Sequence, residues 1–255
     1  MHIRTAAAAT AGTLVVLALS APAAQADTHK GDTAFTSVTF SKSTVHLGVS
    51  AAQGLTVTAT AKDNSGIKGI YGGKLVSPDR RIAFAESASC TTPSSTTMKC
   101  VWKYVLDPNG ADYENLKNAD AGSWHLDAEA AAKDGDFYGL DTSKSVKVKR
   151  HARLTATQAG PEPVAKGHSL TVTGTLTRAD WNTDAYAGFG AQHVALQFKK
   201  AGTSTYSTVR TVTTDGSGKL RTTVTANSAG TWRWKFAGTG TTGAVTATGD
   251  GVALK

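Results

Sequence analysis

Oxygen-bearing side chains gather in two short stretches of the sequence. "KDNSGIKG" (62–69) carries Asp63, Asn64 and Ser65, and "KDGDFYGLD" (133–141) carries Asp134, Asp136 and Asp141. Hard oxygen donors of this kind are what Ca²⁺ takes, about six to eight at a time. The two stretches follow the second and sixth of the expected strands, and in a two-sheet sandwich those two loops lie at one pole. Asp63, Asn64, Asp134, Asp136 and Asp141 therefore form a candidate calcium set. Neither stretch is an EF-hand loop, because the terminal Glu is missing. The competing reading is equally physical, since Asp, Asn, Ser and Gly are also what turns are made of.

A second candidate is aromatic. "RADWNTDAYAGFGAQH" (178–193) places Trp181, Tyr186 and Phe189 in one long loop, with Asp180, Asn182 and Asp184 between them. Exposed rings on a β-sandwich stack on sugars, and neighbouring side-chain oxygens bond hydroxyls. This makes Trp181, Tyr186, Phe189 and Asp184 a candidate ligand-binding group. Packing against a neighbouring domain competes for the same apolar surface. The chain offers little for covalent catalysis. It has no G-x-S-x-G elbow, and "GHS" (167–169) opens a predicted strand. The histidines at 29, 46, 125, 151, 168 and 193 are scattered, and Glu162 stands between two prolines. No catalytic residue is assigned, and a non-enzymatic role is expected.

Cys90 and Cys100 are the whole cysteine content. An even count in an exported chain argues for a disulfide. It closes the short segment "CTTPSSTTMKC", either as the staple of a hairpin or as the base of an exposed recognition finger. It is not the long inter-sheet bridge of antibody domains.

The elements that must position these groups are strands. Period-two alternation recurs in "LTVTATA" (55–61), "SVKVK" (145–149), "LTVTGTL" (170–176), "VALQF" (194–198), "LRTTVTA" (220–226) and "TWRWKF" (231–236). Such runs, separated by Gly, Asp and Asn turns, indicate an all-β sandwich or barrel, and seven strands in each series of roughly 105–120 residues is the size of a sandwich. Strands are expected in two series: near 36–47, 55–62, 67–76, 81–88, 100–106, 123–130 and 143–150, then near 152–158, 168–177, 192–199, 205–213, 218–226, 231–237 and 244–254. Each series holds a small-Gly-Ser/Thr-Trp entry into a late strand, "AGSW" at Trp124 and "AGTW" at Trp232. A Trp in that position plugs the core between sheets, and Trp234 shares the face of Trp232. The expected plan is two tandem immunoglobulin-like sandwiches, 27–150 and 151–255, meeting near His151.

Residues 1–26 read as a secretory leader: a basic start, a short apolar run and an Ala24-Gln25-Ala26 cleavage pattern. The expected product is exported, secreted or associated with the cell wall, and does not span a membrane. Its charge is uneven. From His151 onward eleven Lys and Arg stand against five Asp and Glu, whereas residues 27–150 are nearly balanced. A basic second half is either a solubility charge on an exported protein or a field that favours polyanions of an envelope. The partner classes expected are a cell-wall polymer, a polysaccharide or another surface protein. Nucleic acid is not expected, because no basic run or basic–aromatic motif occurs.

"GHSLTVTGTLTRADW", "VALQFKK", "YSTVRTVTTDGSGKLRTTV" and "AGTWRWKFAGT" resemble the Ig-like domain common in exported actinobacterial proteins of unassigned function. "VTATAKDNSGIKGI" and "AGSWHLDAEAAAKDGD" resemble the domain often placed before it. The resemblance implies a two-domain β-sandwich protein, sometimes labelled calcium-binding, and it carries over no catalytic residue.

Overall fold

The computed structural model describes residues 27–110, 115–141 and 144–255. The expected leader lies outside these residues, as does the start of "ADYENLKNADA", the one stretch with a hint of helix. Of that stretch a single 3-10 turn is formed, Asn118–Asp120. The rest of the described chain is strand, turn and loop.

The first series contributes β1 (Thr28–Lys30), β2 (Ala34–Phe40), β3 (Thr44–Leu47), β4 (Gln53–Lys62), β5 (Ile67–Val76), β6 (Ile82–Ala83), β7 (Ser87–Ser94), β8 (Thr97–Leu106), β9 (Gly122–Ala132), β10 (Phe137–Leu140) and β11 (Ser145–Arg150). One sheet is built on β9, which pairs with β5, β10 and β11; β6, β1 and β3 extend these three. The other sheet runs β2-β4-β8-β7. β4 shows why the sequence folds this way. Leu55, Val57, Ala59 and Ala61 are buried while the intervening threonines face outward, the period-two rule of a half-buried strand. The inner faces of both sheets meet around Val57, Tyr104, Trp124, Leu126 and Val148.

The second series contributes β12 (Ala152–Leu154), β13 (Gln158–Gly160), β14 (Ser169–Asp180), β15 (Ala185–Gly188), β16 (His193–Lys200), β17 (Ser207–Thr213), β18 (Lys219–Thr225), β19 (Gly230–Phe236), β20 (Val245–Thr246) and β21 (Asp250–Val252). β14 gathers β12, β13, β15 and β18 in one sheet, and β17-β16-β19 with β20 and β21 forms the other. Leu170, Val172 and Leu176 of the first sheet pack on Leu196, Trp232 and Trp234 of the second. Trp124, Trp232 and Trp234 are all buried, as their alternating strands require. The fold is all-β, with facing sheets that enclose the two cores.

Cys90 and Cys100 are bonded across β7 and β8, where they are direct register partners. The disulfide thus staples a hairpin. β7 is an edge strand, exposed along its whole length and carrying Pro93, a residue that edges tolerate because its missing N–H faces solvent.

Candidate metal centre

Four carboxylates converge at one end of the first series of strands. Asp32, Asp63, Asp134 and Asp136 each offer an oxygen, and these oxygens lie within 4.8 Å of one another. Three separate segments deliver them: the β1–β2 turn, the end of β4 and the β9–β10 turn. Asp63 is 1% exposed. Its Oδ2 accepts the Thr33 hydroxyl at 2.7 Å, and its Oδ1 accepts the Ser65 N–H at 2.8 Å and the Ser65 hydroxyl at 2.6 Å. Burial opposes ionisation of Asp63, but these hydrogen bonds outweigh it and hold the carboxyl below its ordinary value.

Asp136 reaches back over the first turn. Its Oδ2 accepts the Asp32 N–H at 3.3 Å, and its Oδ1 lies 3.9 Å from the Lys30 ammonium. Gly31 makes this possible. It holds a φ of +73°, and a Cβ there would fall on the Asp136 carboxylate, so both conformation and space require glycine. Asp134 Oδ1 accepts the Asp136 N–H at 3.2 Å. Counter-charge comes from Lys30, and Lys133 lies along the Asp63–Gly66 turn.

Of the sequence-derived set, the structure thus brings Asp63, Asp134 and Asp136 together. Asn64 sits in the same bend as Asp63 with its side chain exposed. Asp141 lies past the far end of β10, where its N–H donates to Asp27 Oδ1 at 3.0 Å. Asp32 was not foreseen, because the first strand expected from alternation begins after it. A donor set of carboxylate oxygens, joined by seryl and threonyl hydroxyls, fits a hard divalent cation such as Ca²⁺ and does not suit a soft metal.

The aromatic stretch has a different fate. Trp181 is 0% exposed and belongs to the first core. Its indole N–H donates to the Gly48 carbonyl at 2.9 Å. Asn118 clamps the same segment: its Oδ1 accepts the Trp181 N–H, its Nδ2 donates to Asp180 Oδ1, and its own N–H donates to Asn182 Oδ1. Phe189 is buried in the second core, edge-on to Phe236, with the Arg178 guanidinium 3.9 Å from its ring centre. Tyr186 is half-buried, 3.0 Å from His151 Nδ1 through its hydroxyl and covered by Arg153. Asp184 is exposed in a left-handed turn. Packing thus engages the three rings to different degrees: Trp181 in the first core, Phe189 in the second, and Tyr186 half-buried against His151 and Arg153.

The backbone at His151 is held from both sides. The His151 N–H donates to Leu47 of β3, and its carbonyl accepts from Ala179 of β14. Arg150 is buried, and burial lowers its guanidinium to a pKa of about 10, with Arg178 acting in the same direction and Asp180 opposing. Elsewhere on the first sandwich, Ile82, Phe84 and Val105 are exposed beside a cleft that reaches Leu116 and Trp124.

Among the described residues no helix is long and apolar enough to cross a membrane. Neither a protein-family model nor a curated protein matches the chain. Solved structures do match. The D00–D0 domain of Intimin is 14% identical over 84% of this chain and 98% of that one, with a TM-score of 0.28. The D0–D1 domain of Intimin is 13% identical over 86% of this chain and 98% of its own length, with a TM-score of 0.27. The human OSCAR ligand-binding domain is 10% identical over 87% of this chain and 96% of its own, with a TM-score of 0.24.

Proposed function

We propose that the chain is a non-enzymatic, exported module with a structural or interaction role at the cell surface or in the extracellular space. The observation that supports this reading is the packing of the aromatic stretch. Trp181, Tyr186 and Phe189 are the aromatic residues most suited to ligand contact by sequence, and they pack between and within the sandwiches instead. A fold organised to hold two β-sandwiches at a fixed junction serves to position surfaces. The test is to incubate the full chain with ester, peptide and glycan substrates and, separately, to sediment it with cell envelopes. The expected result is envelope association without turnover. Reproducible turnover that one substitution abolishes would overturn the reading.

A second reading has its own observation. The convergence of Asp32, Asp63, Asp134 and Asp136 favours calcium binding by the first sandwich. An ion there relieves the mutual repulsion of four carboxylates and ties three chain segments together. Ligand that binds only the folded state stabilises it by about 2.7 kcal/mol at 100-fold saturation, a shift of several degrees. Millimolar Ca²⁺ should raise the melting temperature, a chelator should reverse the rise, and the pair Asp134→Asn and Asp136→Asn should abolish it. An unchanged melting temperature sinks calcium binding and leaves these acids as turn residues.

A further inference from the structure

We propose that an open groove on the outer face of the β14 sheet binds an extended acidic glycan. The inference rests on the interaction reading above and assigns it a surface that the aromatic stretch does not supply. β14 turns Leu170, Val172 and Leu176 into the core and Thr173 and Thr175 outward. β18 runs antiparallel beside it in register, so that Arg221 stands opposite Thr173 and Lys219 opposite Thr175. On the other flank the chain leaves the sheet. β12 pairs with the stretch Leu176–Arg178 and β13 with Thr171–Thr173. Between them the backbone crosses to the opposite sheet, where the Thr157 N–H donates to Thr248 and its hydroxyl accepts the Trp234 N–H.

That departure opens a furrow lined by Thr155, Gln158, Thr173, Thr175, Lys219 and Arg221, with Leu220 and Gly174 at its floor. Gly174 lets the floor lie flat on the core, because a Cβ there would come within 2.7 Å of the Trp234 ring. Thr155 is already engaged, accepting the Thr175 N–H at 2.9 Å through its hydroxyl oxygen.

The lining has two cations, a row of hydroxyls and an amide, and no carboxylate. Beyond one end, Arg153 stands opposite Thr177, with its guanidinium over the Tyr186 ring and outside the lining. Asp215, in the turn leading into β18, is tied to its own backbone, accepting the Ser217 and Lys219 N–H groups. Guanidinium forks match sulfate or carboxylate oxygens in pairs, and threonyl hydroxyls both donate to and accept from sugar hydroxyls. No aromatic residue lines the furrow, so the stacking platform that single-stranded nucleic acid uses is missing. The excess positive charge of the second series steers an acidic polymer to this half of the molecule.

The test is calorimetric titration of the full chain, at low and moderate salt, with a sulfated oligosaccharide and with the same oligosaccharide desulfated. Lys219 and Arg221 are exposed, so replacing them leaves the core intact. Lys219→Ala with Arg221→Ala should weaken binding of the sulfated probe about tenfold or more and lower the salt dependence by about two charges. The charge-keeping pair Lys219→Arg with Arg221→Lys should restore most of the affinity. Lys199→Ala with Lys200→Ala, an equal loss of charge on the opposite sheet, should leave affinity within about twofold. An equal loss in that control, equal affinity for an oligonucleotide of matched charge, or no binding to the sulfated probe overturns the groove. Each of those results leaves the interaction reading standing, since envelope sedimentation tests it independently.

Discussion

Asp120 is 0% exposed, and each of its oxygens is taken. Oδ1 accepts the Ser77 hydroxyl at 2.6 Å, while Oδ2 accepts Arg81 Nε and the Lys117 N–H, both at 2.7 Å. Its backbone carbonyl accepts the indole N–H of Trp124, so the acid also orients the residue at the centre of the first core. Breaking one side of a buried pair leaves the partner uncompensated and costs about 3–5 kcal/mol. Asp120→Ala should therefore lower unfolding free energy by that amount in a denaturant titration. Asp127→Ala, which removes a partly exposed pair with Lys74 at 3.2 Å, should change it by less than about 1 kcal/mol. Equal effects would show that burial does not govern these pairs. Nothing local in "KNADAGSW" marks Asp120 as an ion-pair residue. Its partners Ser77 and Arg81 lie some forty positions away, and only the packing of β5 against β9 brings them near.

Strands with regular alternation were legible in the sequence; short ones were not. β18 and β19 match their expected spans closely, because inward and outward residues alternate there along the whole strand. β1, β10 and β15 have three or four residues each, too few for a period to register. The expected strand 36–47 is in fact β2 and β3, on opposite sheets, because the chain turns after Phe40. The same limits shaped the candidate site. Asp63, Asp134 and Asp136 end long strands whose pairing is predictable, whereas Asp32 sits in a turn beside β1. At the element scale the joint between β11 and β12 makes a pH prediction. His46 and His151 are both held below the ordinary histidine value, chiefly by burial, with Lys149 adding to the effect on His46 and Arg153 and His46 on His151. Arg150 and Arg178 add positive charge to the same stretch, and Asp180 opposes it. A depressed folded value means the unfolded chain takes up protons first, so stability rises with pH across that window. Stability should be complete above about pH 6.5 and fall as the pH drops toward the folded values. His151→Gln should flatten the decline in melting temperature between pH 7 and 5. An unaltered slope in that variant, or a rise in stability on acidification, contradicts the assignment.

At the scale of the molecule, the two-sandwich plan and its boundary near His151 are a proposal with a specific complication. The second series does not keep its side chains to itself: Ala179 and Trp181 lie inside the first core. Trp181 is fully buried there and hydrogen-bonded to Gly48, so the first sandwich borrows a core residue from beyond its own C-terminal strand. The sequence signal for this was ambiguous because a Trp in a Gly-containing loop suits a ligand platform and a wedge equally well. Only the neighbours decide, and those neighbours, Asn118 and Gly48, are more than 60 positions distant. The consequence is measurable. Truncating a buried Trp to Ala costs about 3–5 kcal/mol, and the full chain carrying Trp181→Ala should lose stability in the transition of its first half. If that loss is cavity plus uncoupling, the single melting event expected of the intact chain should separate into two. Residues 27–150 produced alone lack the wedge altogether, so their melting temperature should match the first transition of the Trp181→Ala chain and lie below that of the intact protein. Phe84→Ala, at a side chain 70% exposed, should leave one transition in place. Were residues 27–150 to melt as high as the intact chain, Trp181 would be a passenger on the first sandwich, and the joint would be no fixed junction.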